Sequence, residues 1–293
     1  VEYDGPVDPA LPRYDLLVTR TQDPVLNVVR AKHDYRVLQP WQMTDPNGNQ
    51  STAAFDTLGL VVATAVMGKV GENVGDRLEE FALDPNLEDL QSFVSAPQTQ
   101  AVPLLGQATT RLVYDLDRFQ RCGQPPFAAT LARETHFFDP GGDQSRIQIS
   151  FTYSDGFGRE IQKKIQAEPG NAPQRQPSVL LPSGDSQPGE LVKDANGKLV
   201  LADTPFRWVG SGRTVFNNKG KPVKQYEPFF SATHLYEEER DLTDTGVTPI
   251  LFYDPAERVV ATLHPNHTYE KVVFDPWQQT TYDVNDTCAP RNV

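Results

Sequence analysis

Arg146-Ile147-Gln148-Ile149-Ser150-Phe151-Thr152-Tyr153-Ser154-Asp155-Gly156-Phe157-Gly158-Arg159 contains both halves of the pattern that decides the fold. Ile147, Ile149, Phe151 and Tyr153 alternate with polar residues, which puts them on one face of a half-buried strand. Asp155 and Gly158 then bracket a turn. The Asp carboxylate can bond the backbone two residues on. The Gly supplies the positive φ with which the chain re-enters the next strand.

The same signal, Asp or Asn followed three residues later by Gly, recurs along the chain. It stands at Asp45/Gly48, Asp56/Gly59, Asp139/Gly142, Asp194/Gly197 and Asn217/Gly220. Pro46, Pro140, Pro255 and Pro276 follow an Asp and preset φ at the second turn position. An aromatic precedes many of these turns: Phe55, Phe138, Phe216, Tyr253, Phe274 and Tyr282. β-formers such as Leu60-Val61-Val62 and Val259-Val260 follow. Tyr253 and Phe274 are 21 residues apart, room for two strands and two turns. Tyr114-Asp115 is a weaker copy without the Gly, and Glu257 and Gln278 occupy the Gly position of their units. Since positive φ is costly there, a different turn type, or a redundant Asx, is expected at both.

Two stretches break the pattern. Residues 76–107 carry Leu78, Phe81, Leu83, Leu87, Leu90 and Phe93, a spacing that suits short helices or irregular packing. Residues 167–206 are rich in Pro, Gly, Ser and Gln. They read as a long, partly mobile loop or insertion within one continuous segment, 1–293, with a small hairpin at Asp194–Leu201. The expected fold is therefore all-β: short antiparallel strands in a curved sheet, with a few short helices.

Composition narrows the function. The 293 residues include 25 prolines, well above a usual share of about 5% and unfavourable to long helices. Lys and Arg number 27 against 39 Asp and Glu, a net charge of −12. Such a chain repels phosphate backbones, and no basic stripe offsets this, so no nucleic-acid partner is expected. No apolar run approaches the ~18 residues of a membrane span. Cys122 and Cys288 make neither a disulfide framework nor a zinc site; two free thiols, or a single bridge, remain open. Both ends read as cut, as in a piece of a longer protein.

The last third adds a specific set of phrases: Phe216-Asn-Asn-Lys-Gly-Lys-Pro-Val-Lys-Gln-Tyr-Glu-Pro-Phe-Phe-Ser-Ala-Thr-His234, then Phe252-Tyr-Asp-Pro-Ala-Glu-Arg-Val-Val260. His264-Pro-Asn-His-Thr-Tyr-Glu-Lys-Val-Val-Phe-Asp-Pro-Trp277 and Tyr282-Asp-Val-Asn-Asp-Thr287 follow. With Tyr153–Glu160 and Asp34–Gln42, these resemble the RHS/YD-repeat portion of the B component of bacterial insecticidal toxin complexes, over roughly residues 30–287. The resemblance implies a structural job. In that family the B and C components wind YD-repeat strands into a hollow shell around the toxic end of the C component. A separate propeller docks to the pore-forming A component, so contact with A is expected through other parts of the parent chain. The resemblance also implies a secreted assembly. The turn motif carries over at Tyr153, Asp155, Gly158 and Arg159; at Phe216, Asn217 and Gly220; and at Tyr253, Asp254 and Arg258. Asp45, Gly48, Phe55, Asp56, Gly59, Phe274, Asp275 and Trp277 complete the expected repeat turns. No catalytic, cofactor or metal residue is expected.

Other motifs read as ordinary surface. Asp244-Thr245-Gly246 lacks the second copy that an aspartic protease needs. His264 and His267 flank Pro-Asn, which suits a turn and not a metal-binding helix. Asp115/Asp117, Asp241/Asp244 and Asp283/Asp286 do not fit a calcium loop. Glu237-Glu238-Glu239-Arg240-Asp241 reads as a solvated charge run, and Lys163-Lys164 as a local basic spot. Two rival functions stay open. A surface module binding glycan or protein would expose Trp41, Trp208 or Trp277. A hydrolase or transferase would bring carboxylates such as Asp155, Asp244 and Asp254 together in a pocket.

Overall fold

The computed structural model describes residues 1–4, 15–79 and 82–287; Phe81 and Cys288 lie outside them. The chain forms two compact units, one of residues 1–122, 127–150 and 181–186, the other of 123–126, 151–180 and 187–293. Strands in antiparallel sheets dominate, with four short α-helices among the described residues.

In the first unit each strand pairs with the one before it. The order is β1 (Glu2–Tyr3), β2 (Val18–Gln22), β3 (Val28–Asp34), β4 (Gln39–Thr44), β5 (Asn49–Phe55), β6 (Val61–Lys69), β7 (Thr110–Asp115) and β8 (Phe127–Arg133). From β2 to β6 each neighbour is reached through a short turn, whereas helices intervene between β6 and β7 and between β7 and β8. Between β6 and β7 come α1 (Leu87–Ser95) and α2 (Pro97–Leu105), the helices expected within 76–107. Asn86 caps α1, its side-chain oxygen accepting from the Asp89 amide at 2.9 Å. Pro97 opens α2, where a missing N–H costs nothing. Leu90, Phe93, Val94 and Leu105 from these helices are buried with Val62, Val113, Phe127 and Leu131 from the strands.

Tyr114-Asp115 does not make a hairpin turn. Asp115 ends β7 and α3 (Arg118–Cys122) follows. Arg118 and Arg121 also hold residues 181–186. Arg118 donates to the Ser186 carbonyl at 2.9 Å, and Arg121 lies 3.1 Å from Asp185. This part of the Pro/Gly-rich stretch is thus built into the first unit by buried charge, not left loose.

The second unit takes β9 (Ile147–Ser154) from Phe151 onward and β10 (Glu160–Ala167). β11 (Gly170–Pro173) opens the 167–206 stretch, and the two-residue strands β12 (Val179–Leu180) and β13 (Ser186–Gln187) flank its 181–185 turn. β14 (Leu201–Thr204) pairs with β11. β15 (Arg207–Gly210) joins β10 to β18 (Phe229–Ser231). A further antiparallel sheet comprises β16 (Thr214–Phe216), β17 (Pro222–Gln225), β19 (Ile250–Tyr253), β20 (Val259–Leu263), β21 (Tyr269–Phe274) and β22 (Gln279–Tyr282), in that order. α4 (Arg240–Thr243) lies in the connection between β18 and β19.

The second core is aromatic. Phe151 and Tyr153 are fully buried, and the Phe151 ring sits 5.9 Å from Trp208 and 4.7 Å from His234. Tyr153 donates its hydroxyl to the His234 carbonyl at 3.0 Å, so the one polar atom of the ring is satisfied.

Candidate functional site

The repeated turns are built alike. At Asp155 the carbonyl accepts the Gly158 amide at 3.0 Å, while the Asp155 amide donates to the Arg159 carbonyl at 3.0 Å. One carboxylate oxygen accepts the Phe157 amide at 2.8 Å and the Arg159 amide at 3.0 Å. The other receives Arg159 Nε at 2.7 Å. Asn217 repeats the backbone pattern with its amide oxygen taking the Lys219 and Lys221 amides. Asp45, Asp56, Asp194 and Asp254 do the same four residues on, at the amides of Asn49, Leu60, Lys198 and Arg258. Gly48, Gly59, Gly158, Gly197 and Gly220 all have positive φ.

Three turns depart from this pattern or from what their residues suggest. Glu257 occupies the Gly position at φ 66° and still closes the ordinary turn, its amide donating to the Asp254 carbonyl at 2.9 Å. The expectation of a different turn type there is corrected: the Asp254–Arg258 clasp outweighs the left-handed strain. At Gln278 the turn is different and shorter, the Asp275 amide reaching the Gln278 carbonyl at 3.0 Å. At Asp139/Gly142 the chain enters a 3₁₀ turn at Gly142–Gln144 instead of a hairpin, and Asp139 Oδ1 accepts the Gly75 amide.

Sequence reading missed two further turns: Asp23 clasps Asn27 with Leu26 at φ 69°, and Leu38 follows Asp34 at φ 55°. Asp23-Pro24 was the available signal for the first. The turn expected at His264–His267 is present, His267 closing on His264 at φ 67°. Since a left-handed L-residue costs about 1–2 kcal/mol, Leu26→Gly is expected to raise stability by about 1 kcal/mol in urea unfolding. An unchanged or lower midpoint would speak against strain at this turn.

Neighbouring turns are tied to one another. Arg159, held by Asp155, also stacks on Phe216, the aromatic before the Asn217 turn, at 4.8 Å. Lys219 donates to the Pro255 carbonyl at 2.7 Å, and Lys221 pairs with Glu257 at 2.9 Å. Arg258, held by Asp254, covers the Phe274 ring at 4.1 Å. The turns at 155, 217, 254 and 275 therefore form one row in the second unit. In the first unit Arg36, paired with Asp34, reaches the Asp56 carbonyl at 3.3 Å. Gly59 lies so close to Val37 that an added Cβ would sit 2.6 Å from it, at a φ of +84°. The arginine after one turn and the aromatic before another form the coupling unit. A double-mutant cycle of Arg159→Met and Phe216→Leu should give a coupling of about 0.5–1 kcal/mol; zero coupling would show that the stack holds nothing.

The carboxylates of Asp155 and Asp254 are acidified. Backbone donation from Arg258 holds Asp254 below the usual carboxylate range. Partial burial would raise Asp155, but hydrogen bonds from Arg159 bring it below that range. A carboxylate depressed in the folded state stabilises above its unfolded pKa of about 3.9, and that contribution is lost as pH falls through the folded value. The urea midpoint should accordingly hold from pH 7 to 5 and drop below about pH 4, with Asp254→Asn softening the drop. A midpoint flat down to pH 2.5 would contradict this.

The other expected surface features fall out differently. Asp155, Asp244 and Asp254 are each engaged by a different arginine: Arg159, Arg213 and Arg258. Asp244 receives Arg213 through Nε at 2.6 Å and Nη2 at 2.7 Å. Asp115 is buried against Arg121 at 2.8 Å, and Asp241 pairs with Lys193. Among the described residues no group of three His, Cys, Asp or Glu is placed to hold a metal ion. Of the tryptophans, Trp277 is 94% exposed on its turn, Trp41 is 38% exposed beside Lys32, and Trp208 is buried. The charge run is corrected most strongly. Glu237 is buried and pairs with Lys164, itself fully buried, and with Arg175 at 2.6 Å. Gln162 brackets the Glu237 backbone with two hydrogen bonds, at 2.8 and 2.9 Å. Lys164 is not a basic spot, and burial pushes its amine below the usual lysine range despite the Glu237 charge.

No protein-family model and no curated protein matches this chain. Solved structures do. The crystal structure of TcdB2–TccC3 aligns at 25% identity with a TM-score of 0.65, over 92% of this chain and 12% of that one. The Photorhabdus luminescens Tc holotoxin pore aligns at 22% identity and a TM-score of 0.63, over 92% of this chain and 14% of that one. This chain thus spans about an eighth of the chains it matches.

Proposed function

We infer that this chain, which belongs to the RHS-shell family of bacterial toxin-complex B and C components, serves as a length of wall around a toxic polypeptide. The observation that carries this is the clasped row of turns. The turns at 155, 217, 254 and 275 are closed by their own Asx side chains and tied in sequence, through an arginine on an aromatic at 155–217 and 254–275 and through Lys219 and Lys221 at 217–254. Such an element extends a sheet by repetition and asks for no reacting group. We propose no catalytic step: Asp155, Asp244 and Asp254 are spent on arginines within their own turns or beside them. The partner is a C component and the toxin segment it carries. Contact with a pore-forming A component belongs to other parts of the parent chain, and the whole assembly is secreted.

The test is protection of a passenger. The parent B component containing this segment is co-expressed with a C component and treated with a broad protease. Encapsulation predicts a passenger that survives in the complex and is degraded when residues 147–231 are deleted from the wall. Equal degradation in both would refute it.

One observation favours a second reading. Trp277 stands 94% exposed on a turn, as a glycan-stacking residue would. A cell-surface binding module predicts that Trp277→Ala abolishes capture on a glycan array; no capture by the unaltered chain removes this reading.

A further inference from the structure

Lys164 of β10 and Glu237 are in direct contact inside the second unit, and both are fully buried. Arg175, whose side chain is 5% exposed, closes on Glu237 at 2.6 Å and on Glu239 at 2.8 Å. The two Glu237 oxygens are divided between these cations. Oε2 meets Lys164 Nζ, and Oε1 accepts Arg175 Nε at 2.7 Å. Both groups are held in place. Gln162 brackets the Glu237 backbone, and the Phe229 ring lies 4.8 Å from Lys164 Nζ. Glu239 Oε2 is buried with no hydrogen-bond partner. Mutual attraction only partly offsets the removal of such charges from water, so a neutral product is favoured over the ions at this place.

We propose that Lys164 and Glu237 condense into an intramolecular amide that locks β10 covalently to the segment between β18 and α4. The Lys164 Nζ–Glu237 Cδ bond forms, the Cδ–Oε2 bond breaks, and Oε2 leaves as water. The step balances without a co-reactant. Two of the three ammonium protons depart on Oε2, and the third stays on the amide nitrogen. The first transfer, from the ammonium to Oε2, frees the amine as nucleophile. Burial assists it, pushing the Lys164 amine below the usual lysine range. Arg175 on Oε1 stabilises the charge that collects there as the carbon becomes tetrahedral. Fixed contact between the two groups removes the entropy of encounter. Glu239, whose charge acts on Lys164, offers its unengaged Oε2 to carry the second proton from nitrogen to the leaving oxygen. The product suits the site. One cation and one anion vanish, Arg175 keeps Glu239 as its counter-ion, and the new carbonyl keeps the Arg175 donor. This is one closure of the chain on itself, without turnover, and it stands whether or not the chain encloses a passenger. Until closure the two side chains remain a buried ion pair.

The test is the intact mass of the 293-residue chain, followed with time after refolding from urea. Closure predicts a folded chain lighter by one water. It also predicts a branched tryptic peptide in which Lys164 is uncleaved and joined to the peptide bearing Glu237. Chain kept in urea should retain its full mass, because the step needs the buried site. Glu239→Gln should slow closure at least about tenfold, and Glu239→Asp should restore part of the rate. A folded chain that keeps its full mass on prolonged incubation would overturn the proposal. So would a lost water that maps elsewhere, as an aspartyl succinimide would, or an equal loss in urea. An unchanged rate in Glu239→Gln would overturn the proton route through Glu239.

Discussion

Glu237→Ala is expected to cost about 3–5 kcal/mol of stability, read as a lowered urea midpoint at constant slope. The reason is the ammonium it strands. Lys164 and Glu237 are both wholly buried, and Arg175 closes on the same carboxylate at 2.6 Å while holding Glu239 at 2.8 Å with its other nitrogen. Removing the carboxylate leaves Lys164 charged without a counter-ion, or forces it to release its proton in a place where burial already depresses its affinity for one. Replacing both partners by methionine should recover much of the loss, because two apolar chains of similar length have nothing to desolvate. A loss below 1 kcal/mol in the single variant would mean that water reaches this pair.

Trp208→Ala should cost a similar amount, about 3–5 kcal/mol, for a different reason. The indole is 1% exposed and sits 5.9 Å from Phe151 and 5.4 Å from His234, so its removal opens a cavity that the flanking strands cannot close. Trp277→Ala provides the contrast. With 94% of its surface in water, its loss should change stability by less than about 0.5 kcal/mol. Comparable losses at both positions would contradict this burial.

These two variants also mark where sequence reading stops. The turns were legible because their chemistry is local. An Asx oxygen, a positive φ and an aromatic before them all lie within five residues, and Asp155 to Arg159 shows the whole device. The alternation of Ile149, Phe151 and Tyr153 was legible for the same reason: strand period is a property of neighbours. The helices within 76–107 showed through their apolar spacing. What stayed hidden is set by residues far apart in sequence. Lys164 and Glu237 are 73 positions apart, and Arg118 and Asp185 are 67 apart. A run of three glutamates looks solvated until a buried lysine is placed against the first. The same holds for the row of turns. Arg159 and Phe216 were each visible as turn residues, but their stacking across 4.8 Å was not. Glu257 failed the local rule because Arg258 and Lys221 hold the turn from outside its glycine position.

Electron cryomicroscopy of the parent complex assembled with its C component puts the wall assignment to the most direct trial. The account predicts that the hairpins from Val18 to Tyr282 line one continuous casing, with passenger density on its inner side. A map in which these residues close into a separate globule, with the passenger elsewhere, would contradict it.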